Sequence, residues 1–70
     1  MNNIYRIIEK DAIFGTEKVV KICRKHEKAI KLLRKITKNR FMLIHVNGND
    51  TIYQPFPYCG ENMIYIIRIN

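Results

Sequence analysis

Four residues carry side chains that tetrahedral zinc sites use: Cys23, His26, His45 and Cys59. Cys23 and His26 would share one face of a helix, but His45 and Cys59 are 14 residues apart. Compact zinc motifs instead present two ligands close together from one turn. We therefore interpret them as a buried cysteine, a histidine at the helix edge, a strand histidine and a loop cysteine, and we expect no metal and no other cofactor.

Other chemistry is poorly supported by the residue types present. A Cys23–Cys59 disulfide would not persist in a reducing cytoplasm, and a cysteine within an apolar stripe should have its thiolate disfavoured by burial. No carboxylates are paired for acid–base catalysis. The enzyme that these residues would suit best is a metal-independent ribonuclease using His45 with Arg6 and Arg68, which could share a sheet face. We expect a protein that is not an enzyme.

Positive charge is concentrated in residues 17–40, which hold ten Lys or Arg against two Glu, a net of +8 in a chain of net +7. If the segment were one helix, most of these cations would follow the face opposite the core for about 26 Å. Such a basic face could bind phosphates, or it could be only solvated. Its members are Lys21, Arg24, Lys25, Lys28, Lys31, Arg34, Lys35 and Lys38. Of these, we take Lys21, Arg24, Lys28, Lys31, Lys35 and Lys38 as the candidate basic-face binding residues.

The elements that would position these residues follow from periodicity. Residues 3–9 are rich in β-branched and aromatic side chains and predict a strand. From position 19 to 36 the apolar residues recur at steps of three and four, which predicts one long amphipathic helix, capped at Thr16 and ending near Thr37 or Lys38 with Asn39 left-handed. In an alternative interpretation, residues 18–23 form a strand and the helix begins near His26.

The second half of the chain predicts three more strands. Residues 41–46 and 51–54 flank Asn47-Gly48, a strong hairpin signal, and residues 63–69 form the last strand. Residues 55–62 should be a loop, because prolines at 55 and 57 cannot donate to a ladder; its stiffened aromatics either contact a partner or cover the end of the core. The fold class is therefore α+β in the order β-α-β-β-β, a small, mostly antiparallel sheet with one long amphipathic helix packed on one face.

Strand alternation predicts two sheet faces that differ in composition. One face lacks charge and should lie under the helix, while the other is apolar with a cation or histidine on three strands. Too few residues remain to build a second layer on that other face, so we expect a protein interface there, most simply with a second copy of the chain. The interface residues would be Ile4, Arg6, Ile8, Phe41, Leu43, His45, Ile64, Ile66 and Arg68.

Length and composition limit the class of protein. Seventy residues form one domain, residues 1–70, whose isolated core is marginal and favours association. No charged leader precedes an apolar stretch, and no apolar run is long enough to cross a membrane, so we expect a cytoplasmic protein. Ile, Lys and Asn supply 28 of the residues, which is typical of an AT-rich genome, such as that of a low-GC bacterium or its phages and mobile elements.

The sequence thus predicts a small, non-enzymatic interaction protein that forms a homodimer and that binds and inhibits or modulates a protein or nucleoprotein partner. Short reading frames of phages and mobile elements include host-defence inhibitors, although no motif here identifies one. The alternative is a nucleic-acid-binding protein that uses the basic helix face. A weaker version places Arg6, His45, Arg68 and Phe41 on a stacking platform of the sheet.

Overall fold

The chain forms one five-stranded antiparallel sheet and one helix in a computed structural model that describes residues 3–55 and 63–70. The elements are β1 (Tyr5–Asp11), β2 (Glu17–Cys23), α1 (His26–Ile36), β3 (Phe41–Asn47), β4 (Asp50–Pro55) and β5 (Met63–Ile69). The strands lie in the order β2-β1-β5-β4-β3. This confirms an α+β fold built on a small antiparallel sheet. The predicted order β-α-β-β-β is wrong, because a second strand, β2, lies between β1 and the helix.

A tight turn joins β1 to β2 at the position where the long helix was expected to begin. The Asp11 carboxylate accepts hydrogen bonds from the backbone amides of Ile13 and Phe14, at 2.8 and 3.0 Å. Gly15 then adopts a φ of +73°, which an L side chain rarely tolerates. The Thr16 carbonyl accepts a hydrogen bond from the Asp11 amide, so Thr16 closes a hairpin and does not cap a helix.

Strand β2 replaces the first two turns of the predicted long helix, as in the alternative interpretation. Ile7 pairs with Lys21 but Ile8 pairs with Val19, so Val20 is an extra residue in a β-bulge. The bulge places Val19 and Ile22, three residues apart, on the same face of the sheet. That spacing matches the helical period, which explains why the segment resembled a helix.

Helix α1 is amphipathic and has 11 residues. Ala29 and Leu33 are fully buried on its sheet-facing side. Glu27 lies in its first turn, and Arg34 and Lys35 lie in its last, an arrangement that complements the helix dipole. The helix ends at Ile36, close to the predicted end, and Asn39 has the predicted left-handed conformation with a φ of 62°.

The hairpin between β3 and β4 is displaced by one residue from its predicted turn. Asn47 pairs with Asp50, so Gly48 and Asn49 form the loop, with Gly48 at a φ of +60°. Glycine at the first central position is typical of a type II′ turn. Pro55 is the last residue of β4 and pairs with Phe41. The sequence predicted instead that Pro55 lies in the 55–62 loop. Pro55 is tolerated at the end of β4 because pairing between β4 and β5 ends at Tyr53.

The core lies between α1 and one face of the sheet. Its buried members come from the helix and four of the strands, and partly buried aromatic and aliphatic side chains surround them. Fully or almost fully buried are Ile7, Cys23, Ala29, Leu33, Tyr53 and Ile67. This confirms that Cys23 is a buried cysteine. Within residues 3–55 and 63–70, the helix therefore packs on one side of the sheet.

Replacing Leu33 with alanine should unfold much of the protein at 25 °C. Truncating a fully buried leucine costs about 2–5 kcal/mol, whereas a core of this size supplies only about 3–5 kcal/mol. The measurement is urea unfolding followed by circular dichroism. Ile36→Ala is the matched control on the same helix, because Ile36 is 37% exposed and should lose far less stability. Equal losses in the two variants would contradict the proposed core.

Candidate binding cleft

A cleft of about 660 Å³ lies between the end of β2 and the side of α1. Basic side chains from both elements line it together with a few apolar residues. We call it the cationic cleft, and we call its apolar residues the floor. It is lined by the cations Lys21, Arg24, Lys25, Lys28, Lys31 and Lys35 and by the floor residues Ile22, Cys23 and Leu32.

Local structure explains why the cations converge. On α1, Lys28, Lys31 and Lys35 are three and four residues apart and therefore project from the same side of the helix. Their neighbours Ala29 and Leu33 face the sheet instead. The chain reaches this helix directly from β2, so residues 24 and 25 link the two walls of the cleft.

The cleft cations are uncompensated within the part of the chain that the structure describes. None of the six forms an ion pair with a described carboxylate; the ion pairs found there involve Lys10 and Arg68 instead. The start of α1 also lies at this cleft, and its partial positive charge adds to that of Lys25. The cleft is therefore a region of positive potential, suited to an anionic ligand.

The residues that line the cleft determine the kind of ligand that would suit it. Lys and Arg provide hydrogen-bond donors without acceptors, and Ile22 and Leu32 provide apolar contact. Cys23 is only 7% exposed and packs in the core. Among the described residues, no aromatic ring lines the cleft on which a base could stack. These features favour recognition of an anionic chain that also carries aliphatic groups.

Five of the six predicted basic-face residues line this cleft, although not on one continuous helix. Lys21 lies on β2 and Arg24 in the link, which contradicts their assignment to a helix and the 26 Å length of the basic face. Lys28, Lys31 and Lys35 lie on α1 as predicted. Lys38 follows the end of the helix and is not among the residues that line the cleft.

Sequence reasoning missed the floor of the cleft. The helical period placed Ile22 in the core, but its side chain is 56% exposed because it lies on an edge strand. Leu32 was not among the predicted core or binding residues. An apolar residue surrounded by cations on a helix surface was the signal that could have identified it.

The residues of the predicted interface do not all share one face. Cross-strand partners lie on the same face, and Leu43 pairs with Tyr53, a core residue under α1. Phe41 also packs edge-to-face against Tyr53, with ring centroids 5.4 Å apart. Phe41 and Leu43 therefore lie on the helix side, contrary to prediction. A second bulge, between Leu43 and His45, changes the alternation along β3.

The opposite side of the sheet, which we call the open face, is already buried from solvent at its centre. Ile8 and Ile66 are cross-strand partners there and are only 2% and 3% exposed. Ile4, Arg6 and Ile64 are partly buried, and His45 is exposed on β3. The expected continuous apolar surface is therefore absent from the described part of the open face. Its exposed aliphatic residues lie on the edge strands.

Ion pairs tie the strands of the open face together. The Arg68 guanidinium donates two hydrogen bonds to Asp50, at 2.8 and 3.0 Å, and lies 3.6 Å from the Glu17 carboxylate. Glu17 also pairs with Lys10 at 3.9 Å. These contacts join β4, β5, β1 and β2 on either side of Ile8 and Ile66.

The residues of the predicted zinc and ribonuclease sites do not come together in the structure. Cys23 and His45 lie on opposite edge strands, about 19 Å apart for four strand spacings. His26 packs edge-on against Tyr5, and Cys59 lies outside the described residues, as do residues 56–62 of the predicted 55–62 loop. No three potential metal ligands cluster within residues 3–55 and 63–70. Of the ribonuclease residues, Arg68 is bound to Asp50, so it is not free to act with His45.

Comparison with protein-family models, curated proteins and solved structures gave no match to this chain. No helix in the described ranges is both long and apolar enough to cross a membrane. The geometry and charge of the cleft are therefore the features of this chain that indicate a function.

The stability of the protein should fall as the pH drops below about 4, the ordinary range for an aspartate. Hydrogen bonds from Arg68 lower the pKa of Asp50 from its ordinary value of 3.8. The ionised carboxylate therefore stabilises the folded state above that value, and this contribution is lost as the pH falls through the lowered pKa. Because the pair is partly exposed, we expect a contribution on the order of 1 kcal/mol.

Urea unfolding at pH 7 and pH 3 checks this expectation. Asp50→Asn should lose the stabilisation at pH 7 and show a weaker dependence on pH than the wild type. Glu9→Gln is the control, because Glu9 forms no ion pair with a described residue. If Asp50→Asn is as stable as the wild type at both pH values, the ion pair does not stabilise the fold.

Proposed function

We propose that this protein is a non-catalytic interaction protein that binds an acidic macromolecule in the cationic cleft. A non-catalytic protein of this size would act by occupying a surface of its partner, so inhibition or modulation is the proposed mode of action. The supporting observation is the convergence, on one concave site with apolar floor residues, of six cations that have no ion-pair partner among the described residues. A basic face that served only for solvation would not need a concave site.

Reversing the charge of Lys28, Lys31 and Lys35 to Glu should weaken binding of poly-glutamate about 100-fold. Each lost surface contact removes about 1 kcal/mol, and 1.4 kcal/mol corresponds to a factor of ten. Fluorescence anisotropy at low salt provides the measurement. The wild type should also lose affinity steeply as salt rises.

The matched control reverses Lys18, Lys38 and Arg40, which do not line the cleft. Each reversal changes the charge by two units, so both triple variants carry +1 instead of +7. If net charge alone governs binding, the two variants will lose affinity equally, and the cleft is then not the site. A selective loss in the cleft variant supports the proposal.

Nucleic acid is the second candidate partner. Lys28, Lys31 and Lys35 on one wall and Lys21 with Arg24 on the other could contact a phosphate backbone. No Asn, Gln or aromatic side chain of the described residues lines the cleft to read or stack bases, so binding would be independent of sequence. This lack of base recognition makes nucleic acid the less favoured partner.

Self-association is a separate proposal, supported by edge strand β3. Leu43 and Val46 are more than half exposed, and β3 carries no Lys, Arg, Asp or Glu in a chain of net charge +7. A second copy can approach this neutral edge with the least charge repulsion. Antiparallel pairing of β3 with β3 would also satisfy a two-fold axis, and it would keep the two cationic clefts apart.

Light scattering after size exclusion should show twice the 8.4 kDa chain mass at micromolar concentration. Val46→Lys should shift the protein to a monomer, because it places two like charges at the paired edge. Phe14→Lys is the control, since Phe14 is 80% exposed in the β1–β2 turn and far from β3. A wild-type protein that is monomeric across this range contradicts the proposal.

A further inference from the structure

The outer edge of β2 is an unpaired strand edge beside the cationic cleft. β2 is the last strand of the sheet and pairs with β1 alone among the described residues. Its outward backbone amides and carbonyls have no strand partner within that part of the chain. An exposed edge of this kind is where an extended peptide adds to a sheet through backbone hydrogen bonds.

The cleft has the dimensions of one additional strand. It runs along Lys21–Cys23 on the strand side and Lys28–Lys35 on the helix side, about 10 Å of helix. A sixth strand would lie about 4.8 Å from β2, in the space beside Ile22 and Leu32. Lysine side chains on the helix would then be placed above one face of that strand.

The two faces of such a strand would meet different chemistry. Lys21 and Cys23 are on the helix side of β2, whereas Ile22 is on the open face with Val19. Side chains that face the helix would meet Lys28, Lys31 and Lys35, and side chains on the other face would extend the exposed aliphatic surface of β2. A segment that alternates acidic and aliphatic residues is complementary to both.

Charge also excludes a second copy of this chain from the cleft. The cleft is cationic and the whole chain carries +7, so a second copy would be repelled. Glutamate fits better than aspartate, because its two methylene groups can lie on Leu32 while its carboxylate reaches the lysines.

We propose that the cationic cleft recognises an extended segment with alternating acidic and aliphatic residues, which adds as a sixth strand to the edge of β2. This inference rests on the proposed function and names the class of partner. It requires two kinds of interaction at once: backbone hydrogen bonds to β2 and ion pairs to α1. An acidic polymer that bound without adding a strand would form the ion pairs to α1 alone.

The test compares two decapeptides that alternate Glu and Val by fluorescence anisotropy. One is unmodified, and the other carries N-methyl groups on the alternate amides that would face β2, which removes hydrogen bonds but keeps charge and side chains. We expect the N-methylated peptide to bind at least tenfold more weakly. Hydrogen exchange should also show protection of amides between residues 18 and 23 by the unmodified peptide.

The outcomes separate this inference from the proposed function. Equal binding of both peptides, with no protection in β2, overturns strand addition but leaves acidic binding in the cleft intact if the Lys28, Lys31 and Lys35 variant still fails to bind. If that variant binds poly-glutamate as well as the wild type does, the proposed function itself fails. Tighter binding of a DNA duplex than of the peptide at equal salt, without β2 protection, assigns the cleft to nucleic acid and rejects the inference.

Discussion

One short helix has to cover the apolar side of a five-stranded sheet, and most features of this protein follow from that limit. Eleven residues make a helix of about 16 Å, whereas four strand spacings span about 19 Å. Helix α1 contacts β1 and β2 and buries Ala29 and Leu33 against the core. Strand β3 lies beyond its reach, so Leu43 and Val46 stay exposed even though they lie on the helix side of the sheet.

The sequence predicted the fold class correctly but the order of the helix and strands incorrectly, and β-bulges explain the difference. The last strand and the end of the helix were predicted closely, because β5 alternates regularly and Asn39 favours a left-handed conformation. β2 was taken for helix because the bulge at Val20 changes its period from two to three. The bulge in β3 likewise reversed the faces of Phe41 and Leu43. A bulge is fixed by pairing with another strand, so local periodicity does not reveal it.

The candidate site was predicted in part, through charge. Charge counting found five of the cleft cations, since a cation must remain near water whether it lies on a helix or on a strand. The apolar floor was missed because the exposure of Ile22 depends on β2 lying at the edge of the sheet. The ion pairs across the open face were missed for a similar reason. Arg68, Asp50 and Glu17 are far apart in sequence, and only the strand order brings them together.

The distribution of charge gives the two sheet edges different properties. Glu17 and Asp50 are engaged with cations on the open face, so they do not neutralise the lysines around the cleft. The edge at β2 is therefore bordered by excess positive charge, whereas the edge at β3 carries no formal charge apart from any on His45. An unpaired edge of a sheet can accept an additional strand, and the charge around that edge determines which strand can approach it. The proposed acidic segment would be attracted to the edge at β2, whereas the proposed self-association would occur at β3, where the described residues repel a second copy least.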